Sequence, residues 1–191
     1  MTARILAFSG STRNGSFNQR LLDVAVVAAR EAGAEVTMVR LRDFSLPLFD
    51  QDLEAEGTPA KATELKQLFL HHDGLLIASP EYNSSVSGVL KNAIDWVSRS
   101  APGEPMKAAF LNKTAALLAA SPGALGGLRG LADLRSILQN VGVMVIPQQF
   151  ALGHADTAFD SSGQLKDERS QKSVVGIASS LVQTIEKLRR E

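Results

Sequence analysis

The sequence predicts an α/β fold: a doubly wound five-stranded parallel sheet with helices on both faces. Three observations carry this. Short apolar runs of strand length alternate with longer stretches of helical period, the pattern of repeated βαβ units. Turns rich in Gly, Ser and Asn follow the first, third and fourth runs, where an open sheet presents its loops. The length, 191 residues at 45% hydrophobic and 21% charged, suits one domain over residues 1–191 with a sizeable core.

The elements follow in order. Strand one is "RILAFS" (4–9), and a helix over about 18–32 follows it, with Leu21, Leu22, Ala25, Val26 and Ala29 on one face and Gly33 past its end. Strand two is "EVTMVRL" (35–41). The stretch "RDFSLPLFDQDLEAEGTP" reads as a long irregular surface loop with Pro47 and Pro59 near its ends, before a helix over 60–71. Strand three is "GLLIAS" (74–79), its helix spans 87–98, and "PGEP" turns the chain. Strand four is "KTAALLAAS" (113–121), ending in the glycine-rich "SPGALGG". A helix over 128–140 leads to strand five, "VMVIP" (143–147), and a helix over 166–190 closes the chain.

Composition excludes several function classes. Lys plus Arg and Asp plus Glu are both 20, so no basic field is available for nucleic acid or an anionic membrane. There is no cysteine, which removes disulfides, thiolate metal sites, iron–sulfur clusters and thiol redox chemistry together. Redox chemistry here requires a borrowed cofactor. No apolar run reaches the roughly 18 residues of a membrane span. The N-terminus reads as a first strand and not a leader, so a cytoplasmic location is expected.

In an open doubly wound sheet, ligands bind at the carboxyl ends of the strands, where the winding reverses. Three loops meet there: "SGSTRNGSFN", "SPEYNSSVSG" and "SPGALGG". In the first, Gly10 and Gly15 have the spacing of a nucleotide phosphate loop, but Ser16 and Phe17 replace its Lys and its Ser or Thr. The lysine that would reach the β- and γ-phosphates is missing, and no acid closing strand three makes the usual magnesium site. Nor is G-x-G-x-x-G present. Ser11, Thr12, Ser16 and Asn18 offer side-chain donors, Arg13 a positive fork, and the helix N-terminus free N–H groups, a set that suits a terminal phosphate monoester. The bland alternative is a turn whose polar residues only cap the helix. In the second loop Tyr82, the single tyrosine, lies between Glu81 and Asn83 behind Pro80. An aromatic, an amide and backbone donors there can line a planar heterocycle.

"GSTRNGSFN" followed by "SPEYNSSVSGVLKNAIDW" resembles the NADPH-dependent FMN reductase family of flavodoxin-like proteins, including its quinone, chromate and azo-dye reductase members. The resemblance covers nearly the whole chain and extends to "LPLFDQD", to Gly126-Gly127 and to "LRSIL". It implies a flavodoxin-like fold and a bound FMN. The FMN phosphate would rest on Ser11, Thr12, Arg13, Ser16, Phe17 and Asn18, with Pro80, Glu81, Tyr82 and Asn83 bordering the ring and Ser121 to Gly123 approaching it. It also implies NADPH or NADH as co-substrate, a quinone-like, azo, metal-oxyanion or free-flavin acceptor, ping-pong turnover, and a homodimer or homotetramer. No side chain is expected to act as acid or base, and Tyr82 and Asn83 are expected to shape the ring's surroundings. FMN needs no metal to bind and supplies the redox centre that a cysteine-free chain lacks. The contrasting expectation is a flavodoxin-type single-electron carrier, although such carriers are usually strongly acidic and this chain is neutral. A doubly wound phospho-ligand protein without redox activity would leave "PEYN" unexplained. The sequence departs from the family where Ala132 and Asp133 precede Leu134 and Arg135. Relatives close to the chromate and quinone reductases often carry Tyr-His there.

Other residues receive plainer readings. Lys91, Asn92 and Asp95 lie on a helix whose Val89, Ala93, Trp96 and Val97 share a face, so packing under the loop or against a second subunit is expected in place of catalysis. His71 and His72 diverge at a helix end and are expected to interact with its C-terminus. Asp50, Asp52, Glu54 and Glu56 are expected only to solvate a loop.

Overall fold

A computed structural model describes residues 2–189. Its strands are β1 (Arg4–Ser9), β2 (Glu35–Arg40), β3 (Gly74–Ala78), β4 (Glu81–Tyr82), β5 (Ser85–Val86), β6 (Thr114–Ala120) and β7 (Met144–Leu152). Its α-helices are α1 (Phe17–Glu31), α2 (Gln51–Glu56), α3 (Ala60–His71), α4 (Gly88–Val97), α5 (Leu128–Asn140) and α6 (Glu168–Leu188). Five strands form one parallel sheet in the order β2-β1-β3-β6-β7. This is the flavodoxin-like winding. The connections leave β1 toward β2 on one side and return to β3 on the other, so the reversal falls at the carboxyl ends of β1 and β3.

The central strands are apolar on both faces because helices cover both. Ile5 and Ala7, Leu76 and Ala78, and Ala116 and Leu118 point to the layer of α1 and α6, where Leu21, Ala25, Val174 and Leu181 are buried. Leu6 and Phe8, Leu75 and Ile77, and Ala115 and Leu117 point to α3, α4 and α5, against Phe69, Leu90, Ile94 and Leu134. Period-two alternation thus serves two cores from the same strands.

Two features differ from the sequence expectations, and for α4 one of the two expected packings is realised. The region after β2 is not wholly irregular: a 3-10 turn (Leu41–Asp43) and α2 lie in it, and Asp50 caps α2 by accepting from Asp52 N at 2.8 Å. Its acids do more than solvate, since Glu54 Oε1 accepts from Arg99 Nε at 2.7 Å. Strand five does not stop at Pro147. β7 continues to Leu152 with a register shift opposite Ala115 to Leu117, and on an edge strand the missing proline N–H leaves no ladder partner unmatched. The apolar face of α4 is consumed inside the chain: Ala93, Trp96 and Val97 are buried and Val89 is half-buried. Asn92 and Trp96 hold the preceding loop, both donating to the Pro47 carbonyl at 2.8 Å, while Asn92 Oδ1 accepts from Phe49 N at 2.8 Å. Lys91 and Asp95 are an i,i+4 ion pair, and His71 and His72 each place Nδ1 2.6 Å from a carbonyl of the last helical turn.

Candidate functional site

The loops after β1, β3 and β6 meet at the winding reversal. Ser11, Arg13, Ser16, Phe17 and Asn18 from the first, Pro80, Glu81 and Tyr82 from the second, and Ser121 from the third line one open cleft of about 290 Å³. Asn83 and Gly123 line an adjoining cavity that also touches Glu81 and Ser121. Thr12 faces instead toward grooves beside α4 and β2.

The first loop is built to leave N–H groups unpaired. Ser9 Oγ accepts from Ser11 N at 3.2 Å, Ser11 Oγ from Arg13 N at 3.3 Å, and the N-cap Ser16 Oγ from Gln19 N at 3.3 Å. The backbone N–H groups of Thr12, Asn14, Gly15, Ser16, Phe17 and Asn18 find no acceptor among the described residues. Gly15 makes the loop's sharp turn at φ +65°, in the left-handed region open to glycine. A Cβ at Gly10 would come within 3.0 Å of Leu90 and 3.3 Å of Pro80, so glycine lets the first loop lie directly on the second. Ser87, the N-cap of α4, joins them by donating to the Gly10 carbonyl at 2.5 Å. Converging N–H donors at a helix N-terminus, an Arg beside them and no acid in the loop fit a phosphate monoester.

Two residues act differently from the sequence reading. Asn18 is not a free donor. It is 3% exposed, and its Nδ2 donates to the Ala120 carbonyl at 2.8 Å while its Oδ1 accepts from Ala120 N at 2.9 Å. The side chain clamps α1 to the end of β6, leaving its backbone N–H for a ligand. Glu81 likewise presents its backbone, because its carboxylate accepts from Arg129 Nε at 2.7 Å, Arg129 N at 3.0 Å and Gly130 N at 3.1 Å. It thereby caps α5, whose own N-cap is Gly127 and has no side chain to do so. Burial pushes the Glu81 carboxyl up, but the Arg129 guanidinium and the N–H groups of Gly130 and Arg129 outweigh it and hold the group below the ordinary glutamate range.

The sequence reading missed the hairpin formed by β4 and β5. Asn83 (φ 52°) and Ser84 (φ 67°) are its two central residues, both left-handed, as a type I′ turn requires. Asn83 at the first turn position was the available signal, weakened by Ser84 in the place where Gly is usual. The hairpin leaves Tyr82 54% exposed at the cleft mouth.

The family model described as NADPH-dependent FMN reductase matches residues 3–157. The chain belongs to the NADPH-dependent FMN reductase family. It is 36% identical over 171 residues to an NAD(P)H-dependent FMN reductase of Pseudomonas aeruginosa, covering 88% of each chain. It is 35% identical over 182 residues to an NADPH:quinone oxidoreductase of Arabidopsis thaliana, covering 93% of this chain and 89% of that one. In structure it is similar to the flavoenzyme NAD(P)H:(acceptor) oxidoreductase FerB of Paracoccus denitrificans, with a TM-score of 0.83 and 31% identity over 97% of this chain and 98% of that one. This FMN reductase family member is an oxidoreductase with FMN as cofactor and NAD(P)H as electron donor. Among its described residues no helix is long and apolar enough to cross a membrane.

Proposed function

We propose that the cleft holds FMN and that its one open side serves NAD(P)H and an oxidised acceptor in turn, so that the reductase turns over by a ping-pong mechanism. The observation that carries this is the set of N–H groups of Ser16, Phe17 and Asn18, without an acceptor among the described residues and beside Arg13, at one end of a single cleft whose other end is bordered by Pro80, Tyr82 and Ser121. FMN, when bound, supplies the redox chemistry, taking a hydride from NAD(P)H and returning two electrons to the acceptor. The chain's residues bind and orient. The loop N–H groups and Arg13 neutralise the phosphate, the Asn18 clamp fixes the loop against β6, and the Glu81–Arg129 pair fixes the hairpin beside it. Among the described residues that line the cleft, the carboxylate of Glu81 is engaged by Arg129.

A quinone is the acceptor class we favour. Relatives named quinone reductase in Escherichia coli and 2-hydroxy-1,4-benzoquinone reductase in a Burkholderia species are 36% and 32% identical to this chain. Azo compounds, metal oxyanions and free flavin are the remaining classes. Initial rates with NADPH and benzoquinone, both varied, test the shared side: parallel double-reciprocal lines are expected, and intersecting lines would contradict it. A homodimer or homotetramer is part of the proposal. Because α4 is packed within the chain, the apolar surface for it must come from elsewhere, and the loop holding Leu48, 82% exposed, is our choice. Light scattering that finds only monomer at micromolar concentration would remove that part.

A further inference from the structure

Beside the phosphate loop, on its β2 side, a second groove of about 220 Å³ is lined by Arg13, Arg20, Arg40 and Arg42 and by one acid, Asp23. The fold gathers these from separate places. Parallel pairing sets Arg40, the last residue of β2, opposite Ser9, the last of β1. Arg42 follows in the 3-10 turn, and Arg20 stands one turn into α1, its N–H on the Ser16 carbonyl at 3.1 Å.

None of the four guanidinium groups has a carboxylate partner among the described residues. Arg13 donates to the Gly15 carbonyl at 2.9 Å, Arg42 to Asn14 Oδ1, and Arg20 lies 4.3 Å from the Phe159 ring centroid. Arg40 has no acceptor among the described residues, and Asp23 accepts from Gln19 Nε2 at 2.9 Å. Elsewhere Arg4, Arg99, Arg129 and Arg189 each face a carboxylate within 3.0 Å. Four cations against one anion leave the groove at +3. The phosphate monoester assigned to the loop brings only about −1.5 to −2 at neutral pH, so positive charge remains for a second anion.

We infer that this groove takes the 2′-phosphate of NADPH and sets the preference for NADPH over NADH. The inference rests on the NAD(P)H-dependent reading above. Ser11, Arg13 and Ser16 line both the groove and the flavin cleft, so the groove opens directly beyond the phosphate loop. A dinucleotide is longer than FMN, and one end seated in the cleft leaves the other to reach past that loop. Arginine forks match phosphate oxygens two at a time, and an arginine is the usual partner of the 2′-phosphate where NADP is chosen over NAD. Arg40 and Arg42 are the discriminating pair, because Arg13 is already committed to the loop.

The test compares wild-type holoprotein with Arg40→Ala and with the Arg40→Ala/Arg42→Ala double variant. FMN content, kcat/KM for NADPH and for NADH, and calorimetric binding of 2′,5′-ADP and 5′-AMP are measured for each. These two nucleotides differ by the 2′-phosphate alone. The expected result is a preference for 2′,5′-ADP over 5′-AMP of tenfold or more in the wild type, lost in the double variant. The NADPH/NADH ratio of kcat/KM, measured on FMN-loaded protein, should fall about tenfold in the double variant, and in Arg40→Ala the FMN content and the NADH rate should stay intact. Arg40→Ala, which removes no hydrogen bond or ion pair to the phosphate loop among the described residues, should show a smaller fall in the same direction. Equal losses with both dinucleotides would assign the groove to their shared pyrophosphate and overturn the inference. Loss of FMN in Arg40→Ala would assign it to the cofactor phosphate, with the same consequence. A wild type that binds the two nucleotides alike also overturns it, while leaving the oxidoreductase reading intact if NADH is still consumed.

Discussion

Asn18 and Ala120 exchange two hydrogen bonds across 102 residues of chain, the amide of one satisfying both the N–H and the carbonyl of the other. The contact joins the loop after β1 to the end of β6, so two of the three walls of the cleft are set by one side chain. Asn18→Ala leaves a buried donor and acceptor unmatched. We expect a loss of about 1–3 kcal/mol in urea unfolding and a weaker FMN titration of the apoprotein. Asn18→Asp, which cannot donate to the Ala120 carbonyl and adds charge behind the phosphate loop, should weaken FMN further.

Arg13 donates to the Gly15 carbonyl and lies 5.2 Å from the Phe17 ring centroid. Arg13→Ala should weaken FMN binding by on the order of 1.5–3 kcal/mol, the worth of a charged hydrogen bond, with the fold intact. Titration of the apoprotein by flavin fluorescence measures it.

Glu81 and Arg129 hold the hairpin onto α5. Because the Glu81 carboxyl sits below its ordinary value when folded, the pair's contribution is complete above the unfolded value and disappears as pH falls through the folded one. Wild type should exceed Glu81→Gln in stability by a constant margin above about pH 5, and the margin should narrow progressively as the pH falls from there through the lowered folded value. Urea midpoints across that range report both.

Tyr82 and Asn83 should separate cleanly. Tyr82→Phe keeps the ring at the cleft mouth and should retain most of the NADPH oxidation rate. A bulky, β-branched residue at Asn83 is forced out of φ 52° and should slow the reaction tenfold or more, roughly 1.4 kcal/mol of barrier. Ser84→Gly, at φ 67°, should instead stabilise the protein by a few tenths to about 1 kcal/mol. Stopped-flow rates and thermal melts measure these variants.

Strands and long helices were readable because burial on one or both faces writes a period into the residues: "RILAFS" is β1 and the stretch 128–140 is α5 to the residue. The three loops were readable from glycine, serine and asparagine at the strand ends. α2 was not, since six residues rich in acid carry no apolar period. β7 was cut short because Pro147 reads as a strand end, which holds for a central strand and not for an edge. At the site, Asn18 and Glu81 were found as residues but not as clamps, because their partners Ala120 and Arg129 lie far along the chain. The arginine groove was invisible for the same reason: residues 13, 20, 40 and 42 become neighbours only when β1 and β2 pair.

The cleft is proposed to bind FMN and to receive electrons from NAD(P)H. The direct measurement is the visible spectrum of the purified protein with anaerobic addition of NADPH and then benzoquinone. One FMN per chain, bleached by NADPH and restored by the quinone, is the predicted result. A protein that takes up no FMN, or a yellow one that neither NADPH nor NADH bleaches, would contradict it.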